Sequence, residues 1–409
     1  MNTFKRANAL RGTRRERDAG AGEVSHVVRI RPLLRDDLPA LAILYERIHR
    51  SGSVVPPPGL AAYFARTFLD HPWADPEVPS LVYEDRGRIL GFIGSTVRRL
   101  RFDGQAIRLG CTGPFFADPA ASSKSVGPFL LRRYMQGPQE LTITDAANET
   151  VRRIWERFGG ECLHLSSIRW TRLFRPVQCA ADELLMRAGR PRLQSAVRPA
   201  LRALDAVVTR LPGPVFRLGV PQVTATPLTP DSLIEHLPAV AGSLRVYPDY
   251  DRRFLLWLFR ELGQVRRIGE LSAMLVRDPG GSVLGWYVCL IRSKGLSQVL
   301  QLAAAEQNVG RVVDHLFAQA RVAGALGLVG RLEPRLLVPL ATRGCMLHNQ
   351  GKYFAMIHSR VPGLTAVVRD GRALLTRMEG ETWFGHWSEP FDTESAELAS
   401  PEMRGAALA

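Results

Sequence analysis

The chain has 409 residues, 46% of them hydrophobic and 23% charged; at roughly 150 residues per domain this describes two or three globular cores and excludes a peptide or wholesale disorder. Lysine and arginine number 54 against 39 aspartates and glutamates, a formal charge of +15, so the surface field should attract something anionic: nucleic acid, acidic lipid or a phosphorylated cofactor. No apolar run approaches the roughly 18 residues of a membrane span, and the basic, polar start lacks a secretory apolar stretch, so a cytoplasmic location is expected.

Residues 1–24 carry Lys5, Arg6, Arg11, Arg14, Arg15 and Arg17 without aliphatic periodicity, which predicts a loose basic tail. Residues 27–31 alternate as a strand. Asp36 or Asp37 can cap a helix whose Leu38, Leu41, Leu44 and Ile48 share one face. Gly59, after three prolines, ends a loop, and Tyr63, Phe64 and Phe68 predict a second short helix. Strands over 80–83 and 89–97 flank a turn at 84–87, and a hairpin turn at Asp103 and Gly104 leads to a strand over 109–116. A helix over 122–135, a strand over 140–144, a helix over 149–158 and a last strand over 162–171 complete a first unit, 25–172.

The next stretch, 173–219, is rich in arginine and proline and reads as a linker. Its Leu193, Val197, Leu201, Leu204 and Val208 have helical spacing, predicting an amphipathic helix packed on the protein, with an anionic surface as the alternative. Beyond it the first unit recurs over 220–362. The GRILGFI segment from Gly87 resembles GSVLGWY from Gly281, Val126-Gly127 resembles Val309-Gly310, and Phe158-Gly159 resembles Arg343-Gly344. A hairpin is expected within 363–388 and a disordered tail over 389–409. Cys111, Cys162, Cys179, Cys289 and Cys345 lie far apart, with no CxxC pair and no histidine cluster, so reduced thiols and no structural zinc are expected.

The most informative stretch runs from Phe115, Phe116 and Ala117 through Asp118-Pro119 and the small polar loop Ser122, Ser123, Lys124, Ser125 into a helix opening at Val126 and Gly127. A strand that delivers such a loop onto a helix start aims unpaired N–H groups at one spot, where the helix dipole also favours negative charge. That describes a phosphate cradle, although serines also begin helices simply as caps.

The setting resembles the pyrophosphate loop of the GNAT acetyltransferase superfamily, with Pro119, Lys124, Val126, Gly127, Leu130 and Leu131 in register with its V-x-P-x-x-R/Q-G-x-G-x-G/A pattern. Asn148, Ile154, Glu156, Arg157 and Gly159 fit its next strand and helix. The resemblance spans the first unit and implies a mixed α/β sheet fold, two tandem GNAT-like domains, and acetyl-CoA or another acyl-CoA as co-substrate with no metal. It also implies that the backbone at Phe115 to Ala117 holds the pantetheine arm and polarises the thioester carbonyl.

Two departures stand out: Ser122 replaces the usual Arg or Gln, and Trp155 stands where many members carry the tyrosine that protonates the departing thiolate, a task an indole cannot perform. Among carboxylates, Asp145, Asp118 and Glu84 could reach the cleft, and each is also readable as a turn or cap residue; Asp145 is the candidate base. In the second unit Glu306 replaces the cradle glycines, so that copy is expected to have lost the cofactor. Phe254, Trp257, Trp286 and Tyr287 read as core, with a substrate pocket as the alternative. His315, His348, His358, His386 and the Ser166-Ser167 pair have no catalytic spacing.

The expectation is an acyltransferase, most simply an N-acetyltransferase, acting on an amine of a small-molecule or cell-envelope-type acceptor. A non-catalytic GNAT-fold scaffold is one alternative. A tRNA-dependent aminoacyl transferase, gripping nucleic acid through its basic tail and linker, is another.

Overall fold

A computed structural model describes residues 28–50, 55–121, 125–190, 192–210, 213, 219, 222–349 and 353–387. Both expected tails lie outside these residues, as do Ser122, Ser123 and Lys124. The first half runs β1 (Val28–Pro32), α1 (Leu38–Tyr45), α2 (Leu60–Phe64), β2 (Leu81–Asp85), β3 (Arg88–Phe102), β4 (Gln105–Ala117), α3 (Val126–Met135), β5 (Leu141–Ala147), α4 (Glu149–Arg157) and β6 (Glu161–Cys162). The two hairpin turns form where the sequence places them. Arg86 and Gly87 take φ of 50° and 72°, Asp103 and Gly104 of 49° and 82°, the left-handed pair that a two-residue hairpin turn requires.

After β7 (Arg169–Leu173) come α5 (Pro176–Arg187) and α6 (Leu193–Val208). The second half runs β8 (Thr224–Pro227), α7 (Pro230–Ala241), β9 (Val246–Pro248), α8 (Arg252–Gln264), β10 (Glu270–Arg277), β11 (Val283–Ile291), β12 (Leu296–Ala304) and α9 (Val309–Val322). It ends with β13 (Gly327–Arg331), α10 (Leu337–Ala341), β14 (Met346–His348), β15 (Phe354–Ser359) and α11 (Leu364–Arg369).

The halves exchange strands. One sheet has the order β1-β2-β3-β4-β5-β15-β6 with β9 on β3, and the other β14-β7-β13-β12-β11-β10-β8. The strand expected over 162–171 is therefore corrected. A tight turn at Leu165–Ser167 breaks it, leaving β6 at home while β7 crosses to lie between β13 and β14. In return β15 fills the slot between β5 and β6. Ser167 serves both: its hydroxyl donates to the Leu163 carbonyl (2.9 Å) and accepts the Ala355 amide of β15 (3.0 Å). Glycines in β13 admit the visitor, because a Cβ at Gly330 would lie 2.6 Å from the Trp170 ring and one at Gly327 the same distance from the Arg172 carbonyl. No cut at residue 172 separates the two sheets.

The linker is also more than expected. Its predicted helix is α6, but α6 packs on a second helix, α5, that the arginine- and proline-rich composition hides. Buried Asp205 joins them, accepting the amides of Val177 (2.8 Å) and Gln178 (3.2 Å) at the start of α5 and the Gln178 side-chain amide (3.0 Å). Of the predicted stripe, Leu193, Val197 and Leu204 are exposed and Leu201 and Val208 half-buried, so it is covered only in part. Replacing Asp205 by alanine strands these three donors and should cost about 1–3 kcal/mol, read as faster amide hydrogen exchange at Val177 and Gln178.

The main core is shared by the halves. Leu41, Phe64 and Phe92 of the first belong to one apolar cluster with Leu258, Leu275 and Trp286 of the second, and Trp73 stacks on Phe254 with ring centroids 3.7 Å apart. Trp257 and Tyr287 are buried as well, so all four aromatics read as core are core. Between the halves runs the segment after α11. The hairpin expected there does not form, because its backbone bonds to other elements: the Leu374 amide to the Val246 carbonyl (2.8 Å) and the Arg377 amide to Leu300 (3.0 Å). Its end is pinned to α1 and α2 by Tyr45, whose hydroxyl donates to the His386 carbonyl (3.1 Å), and by Tyr63, which accepts the Gly385 amide (2.7 Å). Among the described residues no helix is long and apolar enough to cross a membrane.

Candidate active site

β4 and β5 are parallel neighbours only from Leu109↔Leu141 to Cys111↔Ile143; beyond that they diverge, leaving a V-shaped opening along Thr112 to Ala117. Opposite its apex the β3–β4 register slips between Ile93 and Ser95. Gly110 faces α3, where a Cβ would lie 2.4 Å from the Tyr134 hydroxyl, whereas Gly113 faces the other side of the sheet. There the segment after α11 delivers Glu381. A Cβ on Gly113 would fall 0.9 Å from Glu381 Oε2, so only glycine allows the carboxyl to stand over the strand.

Glu381 is 2% exposed. Its Oε1 accepts the Thr144 hydroxyl of β5, and Oε2 has no protein partner among the described residues. Burial pushes its pKa well above the ordinary value of 4.5, and the nearby Asp145 charge adds to the shift. Asp145, the base candidate of the sequence, is saturated instead. It accepts the amides of Glu381 (2.9 Å) and Thr382 (3.2 Å), the Thr382 hydroxyl (2.9 Å) and Arg331 Nη1 (3.3 Å). It anchors the segment that carries Glu381. The other two candidates are also tied down, Asp118 by Arg47 (2.5 Å) and Glu84 by Arg31 (2.6 Å).

A buried polar network surrounds this centre. Tyr250 donates to Glu379, whose other oxygen accepts the Thr376 amide (2.8 Å) and hydroxyl (2.7 Å). Gln301 donates to the Tyr250 oxygen (3.1 Å) and accepts the Trp286 indole (2.7 Å). Burial raises the pKa of Glu379 and Tyr250. Arg98 is buried beside them with Nη1 on His71 (3.0 Å), and burial pushes its pKa down.

On the other face of the sheet, α3 begins at the mouth of the V. Ser125 is its N-cap residue and Val126 and Gly127 open it. Pro128 follows and has no amide, so the donors of the first turn are those of Val126 and Gly127. A Cβ at Gly127 would meet the Phe115 ring at 3.3 Å, which places Phe115 as the floor of the cradle. Ala117 ends the divergent strand. An adjoining crevice of about 440 Å3 is lined by Pro128, Glu149, Thr150, Arg153, Ile154 and Arg157, and Arg153 is a residue that sequence reasoning did not single out.

Three side chains named from the sequence lie outside the cradle. Phe116 is buried against Tyr45 and His49, ring centroids 5.8 and 5.1 Å away. Trp155 is buried in the cluster holding Val126, Leu130 and Met356, behind the crevice rather than in it. Asn148 caps α4, accepting the Val151 amide (2.9 Å).

The second sheet repeats the opening, since β12 and β13 pair only from Leu296↔Gly327 to Gln298↔Val329. Its edge is covered, by the Arg377 amide on the Leu300 carbonyl (3.0 Å) and by the Arg335 guanidinium on Leu302. Arg343, paired with Asp314 (2.7 Å), stands before α9, where a Cβ at Gly310 would lie 2.4 Å from its Nη2.

No family model matches the sequence, and no curated protein matches it. Solved structures do. A probable N-acyltransferase from Enterococcus faecalis V583 superposes with a TM-score of 0.51 at 8% identity, covering 81% of this chain and 72% of that one. A GCN5-related N-acetyltransferase from Anabaena variabilis superposes with a TM-score of 0.50 at 9% identity, covering 81% and 73%. The fold is that of the GNAT superfamily. The two sheets exchange strands, and at such identities the likeness speaks for architecture alone. Among the described residues no group of three histidine, cysteine, aspartate or glutamate side chains could hold a metal ion.

Proposed function

We propose that this protein is a GNAT-type acyltransferase that moves an acyl group, most simply acetyl, from CoA to an amine, with its one active centre in the first sheet. The observation that carries this reading is the V between β4 and β5, with the helix-start amides of Val126 and Gly127, unpartnered among the described residues, at its mouth and a dehydrated carboxyl at its apex. Acyl-CoA would enter from the α3 side. The pyrophosphate would meet the Val126 and Gly127 amides, Arg153 and Arg157 would supply countercharge, and the thioester would lie along Phe115 to Ala117. Strand edges without a neighbour bind an extended amide-bearing arm by their own backbone groups and can aim an N–H at a carbonyl that becomes an oxyanion.

The acceptor amine would approach from the opposite face. Glu381 is the group placed to remove its proton, and its elevated pKa makes it a stronger base than an exposed carboxylate. Holding amine, carboxylate and thioester at one aperture supplies the proximity the reaction needs. The second sheet would shape the acceptor side without binding cofactor, because its β12 edge is already taken.

A non-catalytic scaffold is the competing reading, favoured by the burial of Glu381 and Trp155. Thermal denaturation with acetyl-CoA separates the two: at 100 times Kd a bound cofactor stabilises the fold by about 3 kcal/mol. In Gly127→Glu the new Cβ meets only the Phe115 ring, at 3.3 Å, so this variant should still fold, and its added negative charge beside the Val126 and Gly127 amides should leave it gaining nothing from acetyl-CoA. An equal gain in both proteins would remove the cradle from the assignment.

A further inference from the structure

The exchanged strands create a second polar pocket, on the far side of Asp145 from Glu381. β7 and β13 pair so that Arg169 and Arg331 stand directly opposite each other. Like charges facing across an antiparallel pair are destabilising unless something neutralises them. A third guanidinium, Arg377, reaches the same spot from the segment after α11 and is held by Gln298 (2.8 Å) and the Thr382 hydroxyl (3.0 Å). Burial pushes its pKa down to about 10, with Arg169 and Arg331 pushing the same way and Asp145 opposing.

The countercharge is short. Asp145 is the one carboxylate lining the pocket, and its oxygens already accept four donors. Arg331 Nε is buried without a protein partner. Among the described residues neither the Arg169 guanidinium nor the Ser166 hydroxyl has one, and both line the pocket. The enclosed space is about 40 Å3, room for roughly three waters or one small oxyanion. Half-exposed Tyr353 and exposed Arg169 leave it open to solvent. Planar guanidinium forks pair with phosphate or carboxylate oxygens two at a time.

We propose that this pocket between the two sheets is an oxyanion site that binds one phosphate-sized group through Arg169, Arg331 and Ser166. Being assembled by β7, β13, β15 and the segment after α11, it exists only in the strand-exchanged protein. It is separate from the cradle at α3 and does not depend on the acyl-transfer reading.

The test is calorimetric titration of the full-length protein with inorganic phosphate, against chloride at matched ionic strength. Wild type should bind phosphate saturably, and Arg169→Gln should weaken that binding at least tenfold. Arg169 has no protein partner to lose, so this variant keeps its fold. Gly127→Glu should bind phosphate like the wild type, which distinguishes the site from the cradle. Phosphoethanolamine binding more tightly than phosphate would identify a phosphate carried on a larger ligand, and the reverse order a free ion; either supports the site. Equal response to phosphate and chloride, or undiminished affinity in Arg169→Gln, would overturn it.

Discussion

Glu381→Gln is expected to lower kcat for acetyl transfer by roughly 10²–10⁴-fold, the usual worth of a positioned general base, and to leave acetyl-CoA affinity nearly unchanged. Glutamine keeps the shape that Gly113 accommodates and can still accept the Thr144 hydroxyl, but it cannot take a proton. In the wild type the rate should climb with pH as Glu381 ionises through its raised pKa, and in the variant that limb should vanish. Stability should move in the opposite direction. A carboxyl with a higher pKa in the folded state binds its proton longer there than in the unfolded chain, so folding stability falls as pH rises from the ordinary 4.5 towards the raised value and is insensitive below it. Glu379, also raised by burial, adds to the same slope. Denaturation midpoints across pH should therefore fall less steeply in Glu381→Gln. A variant with undiminished turnover would show that another group deprotonates the amine.

Gly113→Ala should be the most damaging single methyl in the protein. Its Cβ would sit 0.9 Å from Glu381 Oε2, so either the β4 backbone or the whole segment pinned by Asp145, Tyr45 and Tyr63 must move. Overpacking of this kind costs about 1–3 kcal/mol in an ordinary core and more where the obstacle is fixed, so a loss near 3 kcal/mol in urea denaturation is expected. The double variant with Glu381→Ala removes the obstacle and should recover part of that loss, a coupling that distant sites would not show. If the double variant loses as much as the two single changes together, the contact is not what makes residue 113 glycine.

The first sheet was legible because its signals are local. Asp103-Gly104 announces a hairpin, the Ser125 to Gly127 stretch announces a helix start, and the strand-length apolar run from Ile89 to Val97 announces a strand. What could not be read is where long-range partners lie. The sequence over 162–171 says strand, but nothing in it says that its end joins the other sheet; a hint lies in β13, where Gly327 and Gly330 make room for it. Asp145 was singled out as a carboxylate just past a strand over 140–144; the strand runs on through it to Ala147, and its oxygens are consumed by backbone that arrives more than 200 residues later. Glu381 was missed outright because its surroundings read as part of a hairpin, and only the tertiary fold brings that segment over β4 and β5. Trp155 was named for its position in the family's motif, where it departs from the usual tyrosine, and its indole is absorbed by the core.

The crossing of β7 and β15 also governs how this protein must come into being. When the ribosome has made the first 210 residues, the amino-terminal sheet still has a vacant lane between β5 and β6, and β7 hangs ready with nothing to join. β7 must wait for residues 327–348 and the vacant lane for residues near 359, so the nascent first half carries bare strand edges, the kind of surface that invites association with other chains. The two halves mature as one unit.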